Sequence, residues 1–249
     1  MVKKKYMQVH SRVYGDFTVI EPVIKELINS RAIQRLKGID QAGYFEPYRP
    51  GTKHTRYEHS LGCYILLNKY SAPIEEQIAG FIHDVSHTAF SHCSDYFFEE
   101  GNPETHTYQD DIFESFVRKT DIPEILEKYG FDVGYILNEH NFPLQEKNLP
   151  DLCADRVDYF LLSLVVYGEK KQEEVLEILS HLRVIDNDWV FDNVDVAHNY
   201  AKLFSYVNKV YYSGVPSALM FHTVSTYLRY AWDNGYITRE DFLPRTRKY

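Results

Sequence analysis

Six of the eleven histidines fall between residues 54 and 106: His54, His59, His83, His87, His92 and His106. Uniform scatter would place about two there, and clustered imidazoles suggest proton transfer or metal binding. His83 is followed directly by Asp84, and His87 lies four residues beyond His83. Imidazole and carboxylate together suit a divalent transition metal (Mn, Fe, Co, Ni or Zn), with Mg a further candidate, and do not choose among them. A carboxylate can bridge two ions, so one or two are admitted. Metal-bound water ionises near neutral pH, which suits attack on phosphorus. The His-Asp dipeptide alone is weak, because this composition produces close to one by chance. Its setting carries more. It closes the apolar run Ile78-Ala79-Gly80-Phe81-Ile82, where an ionisable pair is costly to bury unless paired or metal-bound. A helix continued one turn past Asp84 would place His83, Asp84 and His87 on one face.

The elements that must position these groups are mostly helical. Residues 9–19, with a turn at Tyr14-Gly15-Asp16, predict a short hairpin. Residues 21–29 carry Val23, Ile24, Leu27 and Ile28 at helical spacing after Pro22. Ser30-Arg31 opens another helix through Leu36. Gly43, Pro47, Pro50 and Gly51 mark 42–53 as a loop. Helices follow over 56–68, from Pro73 to about Asp84, and over 104–118, 121–129, 150–166 and 171–183. Asn187-Asp188 centres a second hairpin within 184–193. Helices resume over 195–211, 215–232 and 238–240.

The chain has 249 residues, 44% hydrophobic and 25% charged, as in ordinary globular proteins. That length buries a core without staples. The net charge of −9 argues against an extended nucleic-acid surface. Cys63, Cys93 and Cys153 are widely spaced, which fits a reducing compartment and opposes a disulfide scaffold or structural zinc finger. The 21 tyrosines and 15 phenylalanines read as core and helix-packing material. Met1–Lys5 is basic, no apolar signal core follows it, and no run reaches membrane-spanning length. The expectation is a cytoplasmic protein with no membrane association. No linker divides the chain, so residues 1–249 are expected to form one domain, with a core at about 30–170 and a C-terminal helical part at about 171–249.

Four segments in order give a family resemblance. Residues 35–43 (RLKGIDQAG), 54–62 (HTRYEHSLG), 78–92 (IAGFIHDVSHTAFSH) and 155–160 (DRVDYF) resemble the motifs of HD-domain deoxynucleoside triphosphate triphosphohydrolases. The hairpin near 184–193 and the stretch 237–242 (ITREDF) also fit, so the resemblance spans about 9–242. It implies a mainly α HD-domain helical bundle with one or two small β-hairpins. It implies metal ligands His59, His83, Asp84 and Asp155. His87 and His106 would be catalytic, one of them protonating the leaving oxygen, with His92 and Asp95 in support. Arg56 and Arg156 would neutralise phosphate charge. Gln41 would lie by the sugar, and Tyr159 would stack on or bound it. The partner implied is a nucleotide or other phosphorylated small molecule, and the assembly a homo-oligomer.

Three positions depart from that pattern. Arg156 stands where the family has lysine. Ser163 stands where it has arginine. Tyr211-Tyr212-Ser213-Gly214 lacks the histidine and cation that grip outer phosphates. Each lost charged hydrogen bond costs about 1.5–3 kcal/mol. Lys202, Lys209 and Arg229 are the cations left for that role. The leading expectation is hydrolysis of deoxynucleoside triphosphates to deoxynucleoside and triphosphate. The alternatives are an HD-type phosphatase or phosphodiesterase acting on a monophosphate, signalling nucleotide or other phosphoester, and a non-catalytic nucleotide-binding or assembly protein. Asp158 reads as a salt-bridging helix residue, and His54, His140, His181, His198 and His222 carry no assigned role.

Overall fold

A computed structural model describes residues 6–101, 104 and 106–242. The basic stretch Met1–Lys5 lies outside the described residues. The fold is mainly α, with two small antiparallel hairpins, as expected.

Strands β1 (Met7–Ser11) and β2 (Gly15–Val19) pair from Met7↔Val19 to Ser11↔Gly15. Arg12-Val13-Tyr14 forms the loop, and Gly15 takes φ +76°, the left-handed conformation that closes a three-residue hairpin. This turn directs Val13 into the core and Tyr14 toward the chain's centre. Helices α1 (Pro22–Ile28) and α2 (Arg31–Arg35) follow, the second capped by the Ser30 hydroxyl, which accepts the Ile33 amide at 3.3 Å. The expected loop 42–53 is closed at its base by a bridge between Asp40 and Thr55.

Helix α3 (Arg56–Lys69) begins with a capping box. The Thr55 hydroxyl accepts the Glu58 amide, and Glu58 Oε2 accepts the Thr55 amide at 2.8 Å. Leu61 to Leu67 are buried on all sides, as befits a central helix. Leu61, Tyr64 and Ile65 join one apolar core with α1, α4 (Ile74–Ile82) and α6 (Ile122–Lys128). Leu66 and Leu67 join a second core with α8 (Ala154–Val166), α9 (Gln172–Ser180), α10 (Val194–Val207) and α11 (Val215–Asp233). α3 therefore lies between the two cores. The remaining helices are α5 (Tyr108–Val117), α7 (Val133–Leu137) and α12 (Arg239–Phe242).

Several boundaries differ from expectation. The helix expected to reach Asp84 ends at Ile82, and His83–Ser86 tighten into a 3₁₀ turn. His83 Nδ1 bonds the Gly80 carbonyl at 2.8 Å, while Arg35 Nη2 takes the Val85 and His87 carbonyls that a continuing helix would use. α5 starts at Tyr108 rather than 104, after His106 at φ +57°. α8 starts at Ala154 rather than 150, with the Cys153 sulfur accepting the Arg156 amide. α9 stops at Ser180 because β3 (Leu182–Ile185) pairs with β4 (Asp188–Phe191). That hairpin turns at Asp186-Asn187, both at positive φ, one residue earlier than expected. α7 was not anticipated. A π-helical stretch, Asn208–Tyr212, joins α10 toward α11, and such stretches often serve functional sites.

Candidate metal centre and cavity

Three elements bring the four expected ligands together. His59 comes from the first turn of α3, His83 and Asp84 from the 3₁₀ turn after α4, and Asp155 from the first turn of α8. His59 Nε2 lies 2.8 Å from Asp155 Oδ1, 3.2 Å from His83 Nε2 and 3.8 Å from Asp84 Oδ2. His83 Nε2 lies 3.4 Å from Asp155 Oδ1 and 3.6 Å from Asp84 Oδ1. Two donors sharing one metal at ordinary bond lengths sit about 3–3.5 Å apart, so these separations fit a single bound cation.

The tautomers also fit. A carbonyl only accepts, so His83 Nδ1 carries the proton it gives to Gly80, and the Nε2 lone pair faces the centre. His59 Nδ1 donates to Asp158 Oδ2 at 2.8 Å, which turns its Nε2 to the same point. Two imidazole lone pairs and two carboxylates thus converge, an arrangement that calls for positive charge. Burial opposes charge on both imidazoles. Even so, Cys63, Asp155 and Asp158 hold the His59 pKa well above its usual value, and Asp84 and Asp155 raise that of His83. Burial works against ionised Asp84 and Asp155 too, but Arg56 and His83 push the first well below the carboxylate range, and bonds from His59 and His83 lower the second.

Cys63 also lies near, its sulfur 3.7 and 3.8 Å from the two nitrogens of His59. Being equidistant, it lies along neither lone pair. Its thiol points to the Ala154 carbonyl, and burial raises its pKa, so it is packing rather than a thiolate ligand.

Asp158, expected as a salt-bridging helix residue, pairs with His59 inside the protein. It is buried, accepting His59 Nδ1 through one oxygen and the Tyr14 hydroxyl at 2.8 Å through the other. Carboxylates in this position orient metal-binding imidazoles. Gly62 makes room for it, since a Cβ there would fall 2.0 Å from Asp158 Oδ1. The HSLG segment and the Asp155-x-x-Asp158 spacing were the available signals.

The other expected residues lie along one cavity of about 910 Å³. Arg56 is buried, with Nη1 2.9 Å from Asp84 Oδ2 and Nε donating to Ser91 Oγ at 3.2 Å. Its Nη2 has no hydrogen-bond partner. His87 Nε2 lies 3.2 Å from Asp84 Oδ1, and its Nδ1 is buried without a partner. Burial and Arg56 hold its pKa well below normal, so the ring is neutral. His92 stacks on His106 at 5.0 Å and is kept neutral mainly by burial. Its Nδ1 is 3.6 Å from Asp95 Oδ2, beyond hydrogen-bond reach, while Asp95 Oδ1 accepts the Tyr108 amide. His106 Nε2 meets the Tyr96 hydroxyl at 3.2 Å. Arg156 is held by Glu146 at 2.9 Å and by the Asp151 and Lys147 carbonyls. Tyr159 is edge-on to His59 at 6.4 Å, and the Gln41 amide oxygen is buried without a partner. Asp95 alone among the expected residues is not on the cavity wall apart from the buried His59. Lys202, Lys209 and Arg229 do not line it either, whereas His54 and His140, assigned no role from sequence, do.

A model of the HD domain family matches residues 56–162, the span from α3 to α8 that carries all four expected ligands. The chain is 38% identical over 199 residues to the protein YdhJ of Bacillus subtilis, covering 80% of this chain and 60% of that one. It is 33% identical over 207 residues to metal-dependent phosphohydrolase cns2 of Cordyceps militaris, covering 81% and 59% respectively. Against deoxynucleoside triphosphate triphosphohydrolase SAMHD1 of Gallus gallus it is 30% identical over 151 residues, covering 51% and 25%. The chain therefore spans about 60% of the length of the first two relatives. A crystal structure of a hypothetical protein from Aquifex aeolicus shares the fold, with TM-score 0.71 at 24% identity over 96% of this chain and 68% of that one.

Proposed function

We propose that the chain, whose residues 56–162 match the HD domain family model, is a metal-dependent phosphohydrolase acting on a nucleotide or similarly sized phosphorylated small molecule. The convergence of His59, His83, Asp84 and Asp155 donor atoms within 2.8–3.8 Å carries this assignment. A bound divalent metal would polarise phosphate and supply an acidic water. The chain's own residues do the rest. Arg56 holds Asp84 in place. His87 offers its unpartnered Nδ1 as a proton acceptor. His106, stacked on His92, is the proton donor to the leaving oxygen, with Asp95 in support. Gln41, Arg156 and Tyr159 border the substrate. The test is a phosphoester panel with Mn, Fe, Co, Ni, Zn or Mg, resolving orthophosphate from tripolyphosphate. Metal-dependent release of either supports hydrolysis, and release of neither contradicts it.

A second reading is the cleavage of deoxynucleoside triphosphates to deoxynucleoside and triphosphate. The motif series with Gln41 and Tyr159 and the similarity to SAMHD1 favour it. Tripolyphosphate as the product would support it. A non-catalytic nucleotide-binding protein would bind nucleotide equally well in wild type and His83→Ala without turnover in either. The expected homo-oligomer is tested by light scattering. None of the described helices is long and apolar enough to cross a membrane, and a cytoplasmic location remains a proposal to be checked by fractionation.

A further inference from the structure

Resting on the phosphohydrolase assignment, we propose that the substrate is a phosphomonoester of a neutral, hydroxyl-bearing aromatic group such as a nucleoside, and that the product is orthophosphate rather than triphosphate.

The cavity is poor in free cations. Of the arginines on its wall, Arg156 is engaged by Glu146 and two carbonyls, Arg56 is engaged by Asp84 and Ser91 with only its Nη2 left unpartnered, and no lysine lines it among the described residues. One side carries Asp110, Asp111, Glu114 and Glu139, of which Glu114 is paired with Arg118 and Asp110 has its pKa pushed up to about 7 by burial. Arg229, a candidate clamp residue, instead donates to the Phe97 carbonyl and lies over the Phe97 ring at 5.4 Å. A triphosphate placed on the metal centre would run its outer charges against this wall without guanidinium or ammonium partners.

The other side is aromatic. Tyr159 joins it to the metal centre, edge-on to His59 and, at 5.6 Å, to Tyr212. Tyr167 stacks on Tyr211 at 4.2 Å, His54 meets Tyr167 edge-on at 5.9 Å, and Arg49 covers Tyr211 at 4.3 Å. Where the family pattern has arginine this side has Ser163, and the buried Tyr212 hydroxyl has no hydrogen-bond partner. This side also offers hydrogen-bond acceptors. His54 Nδ1 donates to the Thr52 carbonyl at 2.9 Å, so its Nε2 is an acceptor. The buried Gln41 amide oxygen is another. Ionised phosphate has acceptors only and gains no hydrogen bond from either of these atoms. Sugar hydroxyls and ring amino groups are donors and match them, and tyrosine edges and faces suit a planar ring. A volume of about 910 Å³ is ample for such a ligand.

The reaction is ordinary ester hydrolysis. Water oxygen bonds to phosphorus, the phosphorus–ester oxygen bond breaks, and the ester oxygen leaves as the alcohol with a proton. The water's other proton is shared between orthophosphate and solvent. No oxidant or co-reactant is needed.

The test has two arms on the metal-loaded full chain. Phosphorus NMR follows products from nucleoside 3′- and 5′-monophosphates and from deoxynucleoside triphosphates. Calorimetry measures binding of nucleosides and of inorganic tripolyphosphate. Orthophosphate release from monophosphates, with nucleosides binding and tripolyphosphate not, is the expected result. Gln41→Leu and Ser163→Arg should each weaken nucleoside binding about tenfold, the worth of one good hydrogen bond in a buried site. Tripolyphosphate as the main product, or tripolyphosphate binding more tightly than nucleosides, would overturn the substrate class while leaving the phosphohydrolase assignment standing. Release of no phosphate from any ester would overturn both.

Discussion

Asp158 accepts the Nδ1 proton of His59 at 2.8 Å from a buried position in the second turn of α8's motif. The same carboxylate is held by Tyr14, a residue 144 positions away in the hairpin loop between β1 and β2. The His59 imidazole on α3, a proposed metal ligand, is therefore oriented jointly by α8 and by the N-terminal hairpin.

Asp158→Asn should lower metal affinity about 10–100-fold, the usual effect of losing an orienting carboxylate. Tyr14→Phe removes only one bond to that carboxylate, so affinity should fall less, while stability drops by about 1.5–3 kcal/mol. Chelator competition and urea unfolding measure the two. Equal metal affinity in Asp158→Asn and wild type would remove the orienting role.

Gly62→Ala should be more harmful than its size suggests. Its Cβ would meet Asp158 Oδ1 at 2.0 Å, so the carboxylate or the α3–α8 packing must shift. A stability loss of about 1–3 kcal/mol is expected, together with weaker metal binding. A variant that binds metal as wild type does would show that Asp158 has slack.

Much of this arrangement was legible in the sequence. The ordered motifs singled out His59, His83, Asp84 and Asp155, which the fold brings together, and helices were expected close to where α1, α3 and α8 lie. What escaped was of two kinds. The tight turn at His83 depends on Arg35 capturing carbonyls from a distant segment, which local propensity does not register. The roles of Asp158 and Tyr14 depend on a contact across 144 positions. A lone Asp three residues after an expected ligand is, by spacing alone, indistinguishable from any salt-bridging helix residue.

His54 predicts a pH effect. Burial lowers its pKa to about 4, whereas the unfolded chain takes up that proton near ~6.5. Between these values the unfolded state binds more protons, so stability rises with pH. The contribution is complete above pH ~6.5 and is lost as pH falls toward 4. His54→Gln can still donate to the Thr52 carbonyl but does not titrate. Its stability should decline less across that window than wild type's, by about 3 kcal/mol. Parallel urea curves at several pH values check this, and identical pH dependence would contradict it.

The most direct measurement is metal stoichiometry by elemental analysis of wild type beside His59→Ala, His83→Ala, Asp84→Ala and Asp155→Ala, each verified as folded. Wild type should hold at least one divalent transition metal per chain, and each variant should lose most of it along with phosphoester hydrolysis. Folded variants that retain the wild-type metal content would contradict the assignment of these four side chains as the metal centre.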